Sequence, residues 1–561
     1  MSIKGTVIAN VVKLKMRKKM NRLYDDLEHP ERSVEDGLRS ILEFGKDSEY
    51  GRRYDFVHIL ESNSAEELYR RYSKLPIITY SDIAEYVEKS TQGIPDVLFK
   101  GRPLMYMITS GTTAKPKLIP VSEYYVHMIN DVTNMLLVRH IKLAGNFFEG
   151  KIFAITGKAR EYQVLDGTWV GSVSGYNREA SSKIVKSTFA VPGEIFDVSD
   201  YNARYYLLMR FAVEQDVRYL ITANPTTVLE LVENAKNNFD KYCNDIENGS
   251  ISKELDIPEN IRDILEKKLK PNPKRAAELR ALKAVNNPPL PKDYWPNMNV
   301  LCTWKCANTA FFINGFKEVF PEATKHMEFG YYASECRFGV PFDESNFSTV
   351  FPNEYYVEFV KEEEYGKPDA KTYRIYELTE GERYCVIVST KAGLYRYDMA
   401  DIIVAGPKLK NTPTIQLLQK TSGIISMTGE KLSEPQFNMA VMNASEKCGH
   451  KVSFYMGFAN LEKLYYDIYA EFTDGNISEA DRQIFADEVD KQLYETNVEY
   501  ATKRDSLRLN KPIIHSLPVN AFIEYKKALL ESNKSKDNQF KIMTINQNDD
   551  LKAVIDDLAL N

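Results

Sequence analysis

The sequence predicts an α/β chain of two or more domains with an additional β-rich portion, and three observations lead there. At 561 residues the chain exceeds what one compact core accommodates. Segments of helical periodicity alternate with short apolar segments of strand character along most of its length. Near Thr421 to Glu434 the residues turn small and polar, and a shorter α+β segment follows. That shift places a boundary at Gln419 and divides the chain into 1–419 and 420–561.

In chain order, Ser33 to Tyr72 carries apolar residues such as Leu38, Ile41 and Leu42 at near-helical spacing. Met105-Tyr106-Met107-Ile108 reads as a strand, a hydroxyl-rich loop follows at once, and Glu123 to Leu143 reads as a long helix. Strand, small-residue loop and helix together present backbone N–H groups and a helix dipole to an anion. Lys151 to Thr156 and Arg218 to Thr222 are strand candidates, with a helix over Tyr201 to Val213 between them. Asn224-Pro225-Thr226-Thr227 has the cap and early proline of a helix start. Ile251 to Pro296 is charged and helical, and interruptions at Pro271, Pro273, Pro288, Pro289 and Pro291 mark it as peripheral and irregular at its end. Strands resume at Asn299 to Trp304, Tyr355 to Val360, Tyr384 to Thr390 and Asp401 to Ala405.

Hydrophobic residues make up 43% and charged residues 27%, an ordinary globular balance. A net charge of -6 argues against nucleic acid as the main partner, because phosphate neutralisation needs an excess of Lys and Arg. Of the cysteines only Cys302 and Cys306 lie close together, and no second pair completes a zinc set. Reduced thiols in a cytoplasmic protein are the expectation. No apolar run reaches the roughly 18 residues that span a bilayer, so stable membrane insertion is not expected. The short apolar stretch Thr6 to Val12 precedes Lys13, Lys15, Arg17, Lys18 and Lys19, the reverse of a signal peptide. Such a segment suits either a membrane-surface helix or a helix packed on the domain, and the second is favoured.

The chemistry concentrates in three segments. Thr109-Ser110-Gly111-Thr112-Thr113-Ala114-Lys115-Pro116-Lys117 offers consecutive hydroxyls, a glycine and two lysines to phosphate oxygens. Its spacing is not that of GxxxxGK[ST], and a polar turn that caps the next helix is the competing reading. Tyr331-Tyr332-Ala333-Ser334-Glu335 places an apolar ring face near a carboxylate able to share a cation with phosphates. In Ala392-Gly393-Leu394-Tyr395-Arg396-Tyr397-Asp398-Met399-Ala400-Asp401 the final carboxylate suits paired hydroxyls as an acceptor.

Taken in this order, the three segments resemble the motifs of the adenylate-forming superfamily. With Leu118-Ile119-Pro120, they look like its auxin-responsive Gretchen-Hagen-three branch of acyl-acid amido synthetases. The resemblance extends over most of the chain and is diluted between about residues 240 and 290. It implies a large N-terminal domain with α/β subdomains and a β-barrel element, a smaller mobile α+β C-terminal domain, and an active site between them. It implies ATP and Mg2+ as cofactors, with Ser110, Gly111, Thr112, Thr113 and Lys117 around the phosphates. Tyr331, with Tyr332 competing, would meet adenine; Ser334 and Glu335 would lie at the phosphates, Glu335 on the metal. Asp401 would hold the ribose. Lys420 and Lys431 fall in the segment that leads into the C-terminal domain, and Lys541, in a Gln-Phe-Lys stretch, aligns with the mobile catalytic lysine.

Four departures stand out. Ala114 and Ala400 replace glycines, Asp398 replaces an arginine, and Lys420 stands where an arginine is usual. The function implied is activation of a small carboxylic acid as its acyl-adenylate, followed by transfer to an amine or amino acid. Two alternatives remain open: an acyl-CoA ligase, and a nucleotide-binding protein without turnover. The identity of the acid is not legible.

Overall fold

The computed structural model describes residues 3–109, 117–306, 313, 315–425, 427–428, 430, 432–505, 508–531 and 543–559. The chain forms two compact units. The first comprises Met1–Lys305, Ile313–Met399 and Ile403–Gln416, and the second contains Ala400–Ile402 and Leu417–Asn561.

In the first unit, helix α1 (Ile3–Glu28) buries Ala9, Met16, Leu23 and Leu27, a single stripe at helical spacing. Its Lys19 pairs with Asp131. Of the two uses the sequence left for this basic helix, packing on the domain is the one observed. Strands β1 (Met105–Thr109) and β2 (Lys117–Val121) pair antiparallel, with Thr109 opposite Lys117 and Met105 opposite Val121. Helix α2 (Glu123–Ala144) follows, and its cap Ser122 accepts from the Tyr125 N–H at 3.2 Å. Residues 110–116 therefore join two strands. The sequence had placed the loop directly before the helix; β2 stands between them.

A parallel sheet of four strands runs in the order β3 (Lys151–Ala154), β4 (Val217–Ile221), β5 (Val300–Thr303) and β6 (Lys325–Glu328). Parallel strands need crossovers, and helices α3 (Tyr201–Val213) and α4 (Pro225–Asn248) provide them. Asn224 caps α4 by accepting from Thr226 N–H at 3.0 Å, and Pro225 occupies the first turn. The core between sheet and helices includes Phe153, Leu208, Val217, Leu231 and Leu301. Trp295 joins it and donates its indole N–H to the Ala212 carbonyl at 3.1 Å.

The β-rich portion is a five-stranded sheet of β7 (Tyr356–Lys361), β8 (Thr372–Arg374), β9 (Arg383–Ser389), β10 (Tyr397–Leu409) and β11 (Thr412–Lys420), ordered β8-β7-β9-β10-β11. Within it Arg396 and Glu358 form a two-pronged ion pair at 2.8 and 3.0 Å, with both side chains at most 5% exposed. The same guanidinium donates to the carbonyls of Ser73 and Leu75. Tyr395 donates to the Leu98 carbonyl at 2.7 Å and stacks on Tyr50. The Leu394-Tyr395-Arg396 part of the third motif thus pins residues 73–98 to the sheet.

In the second unit, β12 (Val452–Asn460) and β13 (Tyr465–Phe472) pair antiparallel, flanked by β14 (Ile513–Leu517) and β15 (Ile545–Asn546). Helices α5 (Glu434–Cys448) and α6 (Glu479–Thr496) cover it through Phe437, Val441, Phe485 and Leu493. This is the small α+β unit expected at the C-terminal end.

Two histidines, His140 buried and His326 half-buried, make stability depend on acid. Burial, and then Lys305 nearby, lower the His326 pKa to about 3; burial, and then Arg139, hold His140 well below its ordinary value. His326 shares a 2.8 Å hydrogen bond with Thr303 and His140 one of 2.8 Å with Tyr219. An unfolded histidine takes up its proton near pH 6.5 while the folded one does not, so folding weakens as pH falls from about 6.5 toward 3. The urea midpoint of the wild type should drop more between pH 7 and pH 5 than that of His326→Gln. Equal drops would assign the acid sensitivity to other groups.

Candidate functional site

The hairpin of β1 and β2 brackets the phosphate-loop segment. Lys117 begins β2, with its ammonium 5.7 Å from the Tyr80 ring centroid, and the Tyr80 hydroxyl accepts from the Leu118 N–H at 2.9 Å. Pro120 fits this strand because β2 lies at the sheet edge, where a missing N–H costs no ladder bond. Ser110, Gly111, Thr112 and Thr113 lie outside the described residues, as do Lys431 and Lys541.

The second motif lies in the turn between β6 and the short strand at Gly339–Val340. Ser334 Oγ donates to the carbonyl of Ile108 at 3.1 Å. Positions far apart in sequence are thereby joined, and the Tyr-Tyr-Ala-Ser-Glu segment is held at the end of β1, one residue before Thr109. Glu335 is half-buried and has no ion pair or hydrogen bond among the described residues. Tyr331 is 4% exposed and stacks on Phe338 with centroids 4.2 Å apart. Tyr332 is half-buried, with Phe329 edge-on at 6.0 Å. Of the two rings that the sequence left in competition, the structure covers Tyr331 more completely.

The third motif ends on a strained backbone. Ala400 has φ of +50°, the left-handed region that glycine enters at no steric cost. Alanine has replaced the glycine without changing the turn's need for that conformation. Asp401, 2% exposed, meets the ammonium of Lys420 at 2.6 Å. Both residues belong to the second unit. A buried carboxylate is costly unless paired, and Lys420 supplies the charge that an arginine would. Gln419 beside it is buried, with its side-chain oxygen unpartnered among the described residues. Asp398, the other departure, accepts from the Tyr365 hydroxyl at 2.5 Å.

One residue of this region escaped the sequence reading. Arg337, two positions after Glu335, is only 4% exposed. Its single side-chain hydrogen bond among the described residues runs to Thr133 Oγ1 on α2 at 3.2 Å. An arginine in a loop reads as surface charge by default, and only its closeness to Glu335 gave a signal.

Among the described residues no group of three or more His, Cys, Asp or Glu side chains is placed to hold a metal, and no helix is long and apolar enough to cross a membrane.

Comparison with known proteins places these features. The GH3 family N-terminal domain matches residues 19–325, the GH3 family central domain residues 348–420, and the GH3 family C-terminal domain residues 435–550. An indole-3-acetic acid-amido synthetase, GH3.4 of Arabidopsis thaliana, is 24% identical, with 81% of this chain and 78% of the relative covered. A jasmonoyl-L-amino acid synthetase, GH3.5 of Oryza sativa subsp. japonica, is 24% identical, with 74% of each covered. Among solved structures, GH3.15 acyl acid amido synthetase superposes with a TM-score of 0.83 at 20% identity over 96% of both chains. A 2-hydroxyisobutyryl-CoA ligase in the postadenylation state reaches 0.50 at 9% identity over 94% of this chain and 92% of the ligase. Three successive domain matches in the family's order cover most of the sequence, and the chain belongs to the GH3 family.

Proposed function

We propose that this protein is an ATP-dependent acyl-acid amido synthetase. It activates a small carboxylic acid as an acyl-adenylate and passes the acyl group to an amine, namely an amino acid. The observation that carries the reading is the Ser334 hydrogen bond to Ile108, which sets Glu335 beside the strand that leads into the phosphate loop. In the first half-reaction the acid's carboxylate oxygen attacks the α-phosphorus of ATP, and pyrophosphate leaves. In the second the amine attacks the acyl carbonyl, and AMP leaves with the bonding pair while the amine loses a proton.

Lys117 and the loop hydroxyls of Ser110, Thr112 and Thr113, with the backbone at Gly111, stabilise charge on the phosphates. Glu335 fits Mg2+, which takes one or two carboxylates and fills its remaining positions with phosphate oxygens and water. Held there, the ion would neutralise phosphate charge. Tyr332 offers a ring face to adenine while Tyr331 stacks on Phe338, and Asp401, paired with Lys420, accepts from the ribose hydroxyls. Lys431 and Lys541 serve the C-terminal domain, which we place at 420–561; a compact unit from Leu417 and the family's C-terminal match from 435 support that division. The cytoplasm is the proposed location.

Named relatives that make amino-acid conjugates favour an amine acceptor over coenzyme A. Incubation with MgATP, a panel of carboxylic acids, the twenty amino acids and coenzyme A is expected to give an acyl-amino acid by mass spectrometry. An acyl-CoA without amide would make the protein a thioester-forming ligase. Absence of pyrophosphate release with every acid would leave a nucleotide-binding protein.

A further inference from the structure

In the first unit Arg139, Arg178 and Arg337 are buried without an ion pair among the described residues, and of these Arg178 donates to the carbonyls of Ala154 and Val191. Arg139 on α2 is 3% exposed and Arg337 is 4% exposed, and neither makes an ion pair among the described residues. Arg139 donates to the Asp343 carbonyl and shares a 3.0 Å contact with His140, but its Nε has no acceptor. Arg337 is less satisfied still. Beyond Thr133, both its Nε and its second terminal nitrogen are buried without an acceptor. Glu328, a buried carboxylate on β6, accepts from the backbone N–H groups of Lys305 at 2.6 Å and Gly330 at 2.8 Å, and its charge favours that of Arg139 rather than of Arg337.

A buried charge without a counter-charge is strongly unfavourable, and proteins keep one where a ligand completes it. Burial lowers the pKa of both arginines, yet that of guanidinium starts so high that both remain charged at neutral pH. Arg337 lies 5.0 Å from the ring centroids of both Phe329 and Tyr332, and these rings and Thr133 are half-buried, so they border open space. Glu335, two residues away, belongs to the proposed reaction centre.

Resting on the reading of this protein as an acid-activating enzyme, we propose that Arg337, backed by Arg139, binds a second anionic group on the acid. The substrate class is then a dicarboxylic acid or an equally dianionic one. One carboxylate reacts at the α-phosphorus, and the other accepts from the guanidinium edge. Phe329 and Tyr332, each 5.0 Å from that guanidinium and 6.0 Å from each other, limit how it turns, and a carboxylate is met by arginine in a two-pronged geometry.

The test compares matched acids on one skeleton, such as hexanoate with adipate and benzoate with terephthalate. Pyrophosphate release and the thermal midpoint are measured for wild type and Arg337→Met. The wild type is expected to prefer a dicarboxylate over its monocarboxylate partner at least about tenfold in kcat/KM, the scale of a charge-assisted pair. Arg337→Met should abolish that preference. Dicarboxylates should raise the wild-type midpoint and leave the variant's unchanged, while the ligand-free variant melts no lower than wild type because a lone buried charge has been removed. A wild-type preference within twofold, or one that Arg337→Met retains, overturns the proposal. So does an equal loss with every acid, which would place Arg337 on the nucleotide phosphate. If no acid releases pyrophosphate, the adenylation reading falls, and the midpoint shift with dicarboxylate alone decides whether the anion site stands.

Discussion

Glu358→Ala is expected to destabilise the protein by about 3–5 kcal/mol, the cost of leaving a buried guanidinium without its partner. The pair with Arg396 is the most enclosed on the five-stranded sheet, and the guanidinium also carries the carbonyls of Ser73 and Leu75. Losing Glu358 strands a positive charge and loosens a segment reaching back to residue 73. The double variant Glu358→Leu/Arg396→Met removes both charges and should recover much of the loss, because similar apolar volume often replaces a buried pair at little cost. Urea denaturation of the two variants checks this. A single variant within about 1 kcal/mol of wild type would show that the pair does not hold the sheet.

The second large effect concerns chemistry. Lys117→Met should slow pyrophosphate formation by about 10²-fold, the loss typical of one preorganised donor at a developing anion. Folding should survive, because the Lys117 side chain is half-buried and has no ion pair among the described residues, only the Tyr80 ring 5.7 Å away. The readout is pyrophosphate release with saturating acid, beside the thermal midpoint. Unchanged turnover with an unchanged midpoint would remove Lys117 from the phosphate site.

Much of the architecture was legible because periodicity and capping are local. The helix read over Glu123 to Leu143 is observed as Glu123–Ala144, and Asn224 and Pro225 start a helix for the reasons their side chains give. Strand β2 was missed. Lys117-Leu118-Ile119-Pro120-Val121 is short, opens on a charge and contains a proline, and only its position at the sheet edge makes it a strand. At the candidate site, it was the resemblance that pointed to the carboxylates Glu335 and Asp401 and to the lysines, and these remain proposals. What it could not show was the Ser334 bond to Ile108, a tertiary contact, or the burial of Arg337. That Phe338 covers Tyr331 was likewise not legible in the sequence.

Ala400 has a consequence for how this sequence tolerates change. A left-handed alanine carries about 1–2 kcal/mol of strain, yet a glycine there would lose about 0.5–1 kcal/mol more in chain entropy on folding. The two partly cancel, leaving glycine favoured by at most about 1.5 kcal/mol, so drift from one to the other costs little beside the whole stability of the protein. Larger or β-branched side chains enjoy no such cancellation, since they meet the same steric wall with more atoms. Saturation mutagenesis at position 400 should accordingly return a narrow set, with Gly, Ala and Asn retained and Val and Ile depleted.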